Sequence, residues 1–129
     1  MDAVQWPKQI LLEKAGMPEV NGLYERYSED FCGAAQWKHV EREMWIFWGG
    51  DFEYMWVIGH SHFSGNGYRY THGCDWLNEA YLKGKEAFEE AKKNPKPPTE
   101  DNWGTYYTGY DPPGFVGGIE PAPRVTISY

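Results

Sequence analysis

Met44-Trp45-Ile46-Phe47-Trp48-Gly49-Gly50-Asp51-Phe52-Glu53-Tyr54-Met55-Trp56-Val57-Ile58 is the stretch that decides how this chain folds. Two runs of aromatic and β-branched residues flank a Gly-Gly-Asp-Phe turn. The first run, 44–48, is apolar at every position, as a strand covered on both faces must be. The second, 53–58, has the aromatic and β-branched content of a strand beside it. Two strands joined this tightly make an antiparallel pair, and the neighbouring sequence extends it.

Upstream, Gln36-Trp37-Lys38-His39-Val40-Glu41-Arg42 alternates with period two. Trp37, His39 and Glu41 share one face, and Lys38, Val40 and Arg42 the other. Before it, Val20-Asn21-Gly22-Leu23-Tyr24-Glu25-Arg26-Tyr27 opens with a turn and continues as a strand. Downstream, Gly65-Asn66-Gly67 is a hairpin signal leading into Tyr68-Arg69-Tyr70-Thr71-His72. Residues 20–72 therefore predict an antiparallel meander of four to five strands.

Pro7 followed by Lys-Gln-Ile-Leu-Leu-Glu-Lys-Ala and Gly16 predicts a short N-terminal helix, with Pro at its first position and Gly at its stop. After the sheet, Asp75 reads as the cap of one amphipathic helix ending at Asn94-Pro95. Its stripe is Leu77, Ala80, Tyr81, Phe88 and Ala91, with Gly84 a weak point. The fold class expected is α+β.

From Pro95 onward the composition changes. Seven of the nine prolines, five glycines and four tyrosines lie in residues 95–129. Proline and glycine oppose regular structure, yet Trp103, Tyr106, Tyr107, Tyr110, Phe115, Val116 and Ile119 are too apolar for an inert linker. The last run, Arg124-Val125-Thr126-Ile127-Ser128-Tyr129, has the character of an edge strand for its own sheet or a partner's. The chain thus divides into a compact domain, 1–94, and an extended docking tail, 95–129. Trp103, Tyr106, Tyr107, Tyr110, Phe115, Val116, Ile119 and Tyr129 are the expected partner-binding residues.

A net charge of −7 argues against nucleic-acid binding, which depends on clustered Lys and Arg. The basic cluster Lys92-Lys93 with Lys96 lies at a helix end, where cations complement the dipole. No apolar run approaches the ~18 residues needed to span a bilayer. Residues 1–6 resemble neither a signal peptide nor a transit peptide. Cys32 and Cys74 are either paired or small buried hydrophobes.

His60, His62, His72 and Cys74 would make a tetrahedral zinc set if a three-residue 65–67 loop placed His60 opposite His72. A two-residue Asn66-Gly67 turn slips the register by one and splits them. Gly49-Gly50-Asp51-Phe52 matches the diguanylate cyclase signature turn in four letters, without the carboxylates that should accompany it. Cys32 with His39 would be a nucleophile and base, against the commoner buried thiol. Glu29, Asp30, Asp51, Glu53 and Asp75 lie at turns or strand ends, where carboxylates are ordinarily solvated. Trp37, Trp45, Trp48, Trp56 and Tyr54 would stack on sugars if exposed and coplanar, but alternation on strands favours the core. No nucleophile elbow, phosphate loop or dinucleotide fingerprint is present.

Pro18-Glu19-Val20-Asn21-Gly22-Leu23-Tyr24, Trp37-Lys38-His39, Trp45-Ile46-Phe47-Trp48 and Trp56-Val57-Ile58-Gly59 resemble a β-meander module of algal and protist proteins. The resemblance covers about residues 18–73 and implies no characterised activity. The His60/His62 loop, the added helix and the long tail depart from that pattern, as in a module recruited to an assembly.

The expectation is a non-catalytic accessory subunit without cofactors. It docks on other protein subunits of a respiratory, photosynthetic or cytoskeletal assembly, with no nucleic acid and at most a peripheral membrane association. An intracellular, organellar (mitochondrial) location suits that reading. A carbohydrate- or ligand-binding module and a zinc-binding domain are the alternatives.

Overall fold

The computed structural model describes residues 5–50, 55–60, 62, 68–105 and 118–129. They form one antiparallel sheet of eight strands, in the order β7-β6-β5-β4-β3-β2-β1-β8, curled into a half-barrel. The strands are β1 (Gln9–Glu13), β2 (Gly22–Arg26), β3 (Trp37–His39), β4 (Trp45–Trp48), β5 (Trp56–Gly59), β6 (Tyr68–His72), β7 (Trp103–Thr105) and β8 (Arg124–Ser128). Two helices, α1 (Asp75–Lys83) and α2 (Lys85–Lys93), follow β6. The meander expected from residues 20–72 is its central five strands.

The predicted N-terminal helix is instead β1. Ile10 and Leu12 are fully buried, while Leu11 between them is half-buried and Glu13 exposed, which is period two. The eight residues between Pro7 and Gly16 are too few for a stable isolated helix. As a strand they gain two neighbours, with Ile10 opposite Tyr24 on β2 and Ile127 on β8. Gly16, read from sequence as a helix stop, marks a close approach. A Cβ there would collide with the main-chain oxygens of Ile119 and Glu120, and its N–H donates to Pro121 O at 2.9 Å.

The single helix expected after the sheet is two, broken at Gly84, whose φ of 131° is costly for other residues. Cys74, not Asp75, occupies the N-cap position of α1. Leu77 reaches the core, and Phe88 and Ala91 pack against it partly buried. The break leaves Tyr81 68% exposed, its ring edge-on to Phe88 at 5.5 Å instead of on the sheet.

Both described ends of the 95–129 segment enter the sheet. β7 pairs with β6, setting Trp103 opposite His72, and β8 pairs with β1. These two outer strands are linked by side chains. Glu100 Oε2 accepts from Ile127 N at 2.8 Å, and the Thr105 hydroxyl donates to the Glu120 carboxylate. Charged groups at strand edges of this kind oppose edge-to-edge pairing with other chains.

The inner face of the half-barrel is packed with aromatics. Trp37, Trp48, Trp56, Tyr24 and Tyr70 are among the largest fully buried side chains. Trp6 closes over Trp37 and Trp56 at 6.3 and 6.0 Å, and Trp76 of α1 lies 5.5 Å from Trp48. A buried indole N–H needs an acceptor. Trp37 donates to Pro7 O at 2.8 Å, and Trp56 to Lys96 O at 2.9 Å. The core tryptophans thus tie down the chain before β1 and the chain after α2.

Candidate interaction surface

Alternation along β4 sends Ile46 and Trp48 inward, and Trp45 and Phe47 to the outer face. There Phe47, Val57 and Tyr68 form a second, smaller buried cluster, with Phe31, Trp45 and Met55 partly buried against it. Hydrophobics on the outer face of a half-barrel need a cover, and two local excursions of chain supply one. The first, between β2 and β3, makes a tight turn in which Phe31 and Ala34 exchange main-chain hydrogen bonds at 2.8 and 3.1 Å. That turn sets Phe31 edge-on to Phe47 at 5.6 Å. The second brings His62 over the patch.

The half-buried His62 imidazole lies among three rings, 4.6 Å from Phe31, 4.8 Å from Trp45 and 4.5 Å from Phe47. Its Nε2 is 2.7 Å from Gln36 Oε1, and the Gln36 amide nitrogen donates to Glu29 O at 3.0 Å. The Gln36 oxygen is therefore the acceptor, and His62 carries its proton on Nε2. Burial among the rings holds the His62 pKa below its ordinary value, with the nearby Glu43 carboxylate opposing.

Tyr27, 39% exposed, lies edge-on to Trp45 at 4.9 Å, and Val40, the residue after β3, is 46% exposed. Lys38 holds its ammonium 5.7 Å above the Trp45 ring and 3.6 Å from Glu43. Arg26 lies 3.8 Å from Asp30. The result is a patch of half-covered aromatic rings inside a charged rim. Its polar edge and apolar centre are the arrangement of a docking surface.

The expected partner-binding residues divide three ways. Trp103 is half-buried and serves its own sheet, its indole donating to Thr99 O at 2.8 Å and its ring edge-on to His72. Ile119 and Tyr129 are 52% and 59% exposed and remain presented to solvent. Tyr106, Tyr107, Tyr110, Phe115 and Val116 lie outside the described residues.

The zinc candidates are not brought together. His72 pairs with Trp56, and a register shift at Ile58/Gly59 sets Gly59 opposite Tyr68. Neither expected register occurs, and exposed His60 lies past the far end of β5 from His72. His62 belongs to the aromatic cluster. His72 Nε2 accepts from Thr99 N at 3.2 Å, and the buried Cys74 thiol lies 3.6 Å from His72 O. Among the described residues no three His, Cys, Asp or Glu side chains gather as a metal site.

Cys32 and His39 do not form a nucleophile–base pair. Cys32 sits exposed in the tight turn, its sulfur against Gly50, and is not disulfide-bonded to Cys74. His39 is buried, with Nδ1 accepting from Glu41 N at 3.0 Å and Nε2 donating to Asn21 O at 2.9 Å. In the Gly-Gly-Asp-Phe turn, Gly49 N donates to Met55 O at 2.9 Å, while Asp51 and Phe52 lie outside the described residues, as do Glu53 and Tyr54. Glu29 and Asp30 are exposed. Of the tryptophans considered for sugar stacking, Trp37, Trp48 and Trp56 are buried in the core, and Trp45 alone of that group is half-buried.

Sequence reasoning missed His62 and Phe31 as parts of one patch. The available signal was Trp45 and Phe47 alternating against Ile46 and Trp48, which requires cover on both sheet faces. What supplied the outer cover came from loops, which have no periodicity to read. Among the described residues no helix is long and apolar enough to cross a membrane. Comparison of the chain with protein-family models, curated proteins and solved structures found no match.

Proposed function

We propose that this chain is a non-catalytic accessory subunit that docks into a larger protein assembly through its outer aromatic face and the exposed residues of its C-terminal segment. The observation that carries the reading is the half-covered patch of Phe31, Trp45, Met55 and Tyr27 on the outer face. The inner face has its own filled core, so these rings are not needed to close it. Aromatic residues in a rimmed patch are the side chains that dominate binding energy in protein interfaces. Ile119 and Tyr129 are exposed apolar side chains of the C-terminal segment.

The test is site-specific photocrosslinking in native cells. A photoreactive phenylalanine replaces Val40, Ile119 or, as a control, Leu82 on α1, which is 85% exposed. Crosslinks from 40 and 119 to the same partner, with none from 82, are expected. A chain that fractionates at its own mass of 15.0 kDa and crosslinks from none of these positions overturns the reading.

A further inference from the structure

We propose that Phe31, Trp45 and Phe47 form a cage for a cationic side chain, Lys or Arg, of a basic partner segment, and that His62 is the cage's intramolecular occupant. The proposal rests on the docking reading above and names the chemistry of its anchor.

Three rings converge on one small nitrogenous group, at centroid distances of 4.5 to 4.8 Å. Aromatic faces carry negative quadrupole charge, and rings gathered in this way are the known means of holding ammonium and guanidinium groups. A second observation marks the same surface. The Lys38 ammonium already sits over the Trp45 ring at 5.7 Å, with Glu43 beside it at 3.6 Å. The patch therefore places a cation on a ring and a carboxylate at its rim within its own chain.

The surroundings favour a positive partner. Segments 25–30 and 38–43, which border the patch, carry five carboxylates (Glu25, Glu29, Asp30, Glu41, Glu43) against Arg26, Lys38 and Arg42. Arg26 is held by Asp30, and Arg42 donates to Glu19 O at 3.0 Å. The whole chain carries −7, which speeds the approach of a basic segment. A neutral imidazole fills the cage by shape. A permanent cation of similar bulk adds attraction to the ring faces, so it competes with His62 for the same space.

The cage is probed with tetramethylammonium chloride and with its neutral isostere tert-butanol, at matched ionic strength, by NMR of the Phe31 and Phe47 rings, which every variant keeps, and of the Trp45 and His62 rings where they are present. Wild type is compared with His62→Gly, which empties the cage, and with His62→Gly/Trp45→Ala, which removes one wall. His62→Gly is expected to bind tetramethylammonium at least tenfold more tightly than wild type and to prefer it clearly over tert-butanol, and the double variant is expected to lose it. Equal affinity for both probes, showing an apolar hole, overturns the proposal. So does absence of binding in His62→Gly, or its survival without Trp45.

If His62→Gly does not fold, wild type decides. Saturable displacement of the His62 resonances by tetramethylammonium, not by tert-butanol, supports the cage, and unmoved His62 resonances reject it. No protein partner enters these titrations. A failed cage therefore leaves the crosslinking result standing, and a failed crosslink leaves the cage measurable.

Discussion

The Tyr70 hydroxyl donates to Ile119 O at 2.6 Å and accepts from Met17 N at 3.2 Å. One phenol thereby bridges the C-terminal segment to the turn after β1, from a ring buried at the centre of β6. Next to it, a Cβ on Gly118 would collide with Arg69 O and the Tyr70 ring. Burial holds the Tyr70 pKa above its ordinary value, so the phenol stays neutral and able to donate throughout the physiological range.

Tyr70→Phe removes this bridge while keeping the ring. A part-buried carbonyl and a buried N–H then lose their partner, which costs about 1–3 kcal/mol. The urea midpoint should fall with the m-value unchanged. Amide exchange should accelerate at Met17 and at Gly16, whose N–H donates to Pro121 O. A midpoint equal to wild type would mean that water replaces the hydroxyl.

Core and surface aromatics should separate sharply by mutation. Trp37 and Trp56 are fully buried, and each also donates to a main-chain carbonyl, Pro7 O and Lys96 O. Trp37→Ala or Trp56→Ala should cost about 3–5 kcal/mol, a large part of the stability of a domain this size. Leu82→Ala, on an 85% exposed side chain, should stay within about 0.5 kcal/mol. Denaturant midpoints measure all three, and a severe loss at Leu82 would show that α1 packs more closely than described.

Much of the sheet was legible because strands reveal themselves by period two. Trp37 and His39 turned inward and Lys38 outward as the alternation required, and residues 46–48 proved buried on both faces. β1 was misread because Pro7 and Gly16 carry helix punctuation, and local punctuation cannot report that strands from residues 22 and 124 lie on either side. β7 and β8 were hidden in Pro- and Gly-rich composition, although the last run's likeness to an edge strand was visible. The outer aromatic patch was half legible: Trp45 and Phe47 announced an outer cover, but pairing with Phe31 and His62 depends on loop paths.

Gly84 is the position that turns one expected helix into two. Its φ of 131° lies where a Cβ is strained, although nothing stands within 4 Å of one built there. Gly84→Ala should therefore destabilise by about 1 kcal/mol through backbone strain and not through a clash. Circular dichroism should show helix content retained. A gain in both helicity and stability would instead indicate that α1 and α2 fuse into one continuous helix when the glycine is removed.

His62 is held below the ordinary pKa by burial among Phe31, Trp45 and Phe47, and Glu43 only partly offsets this. The unfolded chain has no such burial, so its His62 titrates near ~6.5. Between the folded and unfolded pKa values the unfolded state binds more protons, and stability must rise with pH there. Read downward, the contribution is complete above the unfolded value and is lost as pH falls through the window beneath it. His62→Gln cannot titrate, yet its amide can still donate to Gln36 Oε1. Wild type should therefore lose more stability than His62→Gln between neutral pH and mild acid, as measured by urea midpoints at each pH. The His62 ring protons should titrate below ~6.5 by NMR. Parallel pH profiles for the two proteins would show that burial does not hold the folded-state imidazole below its unfolded value.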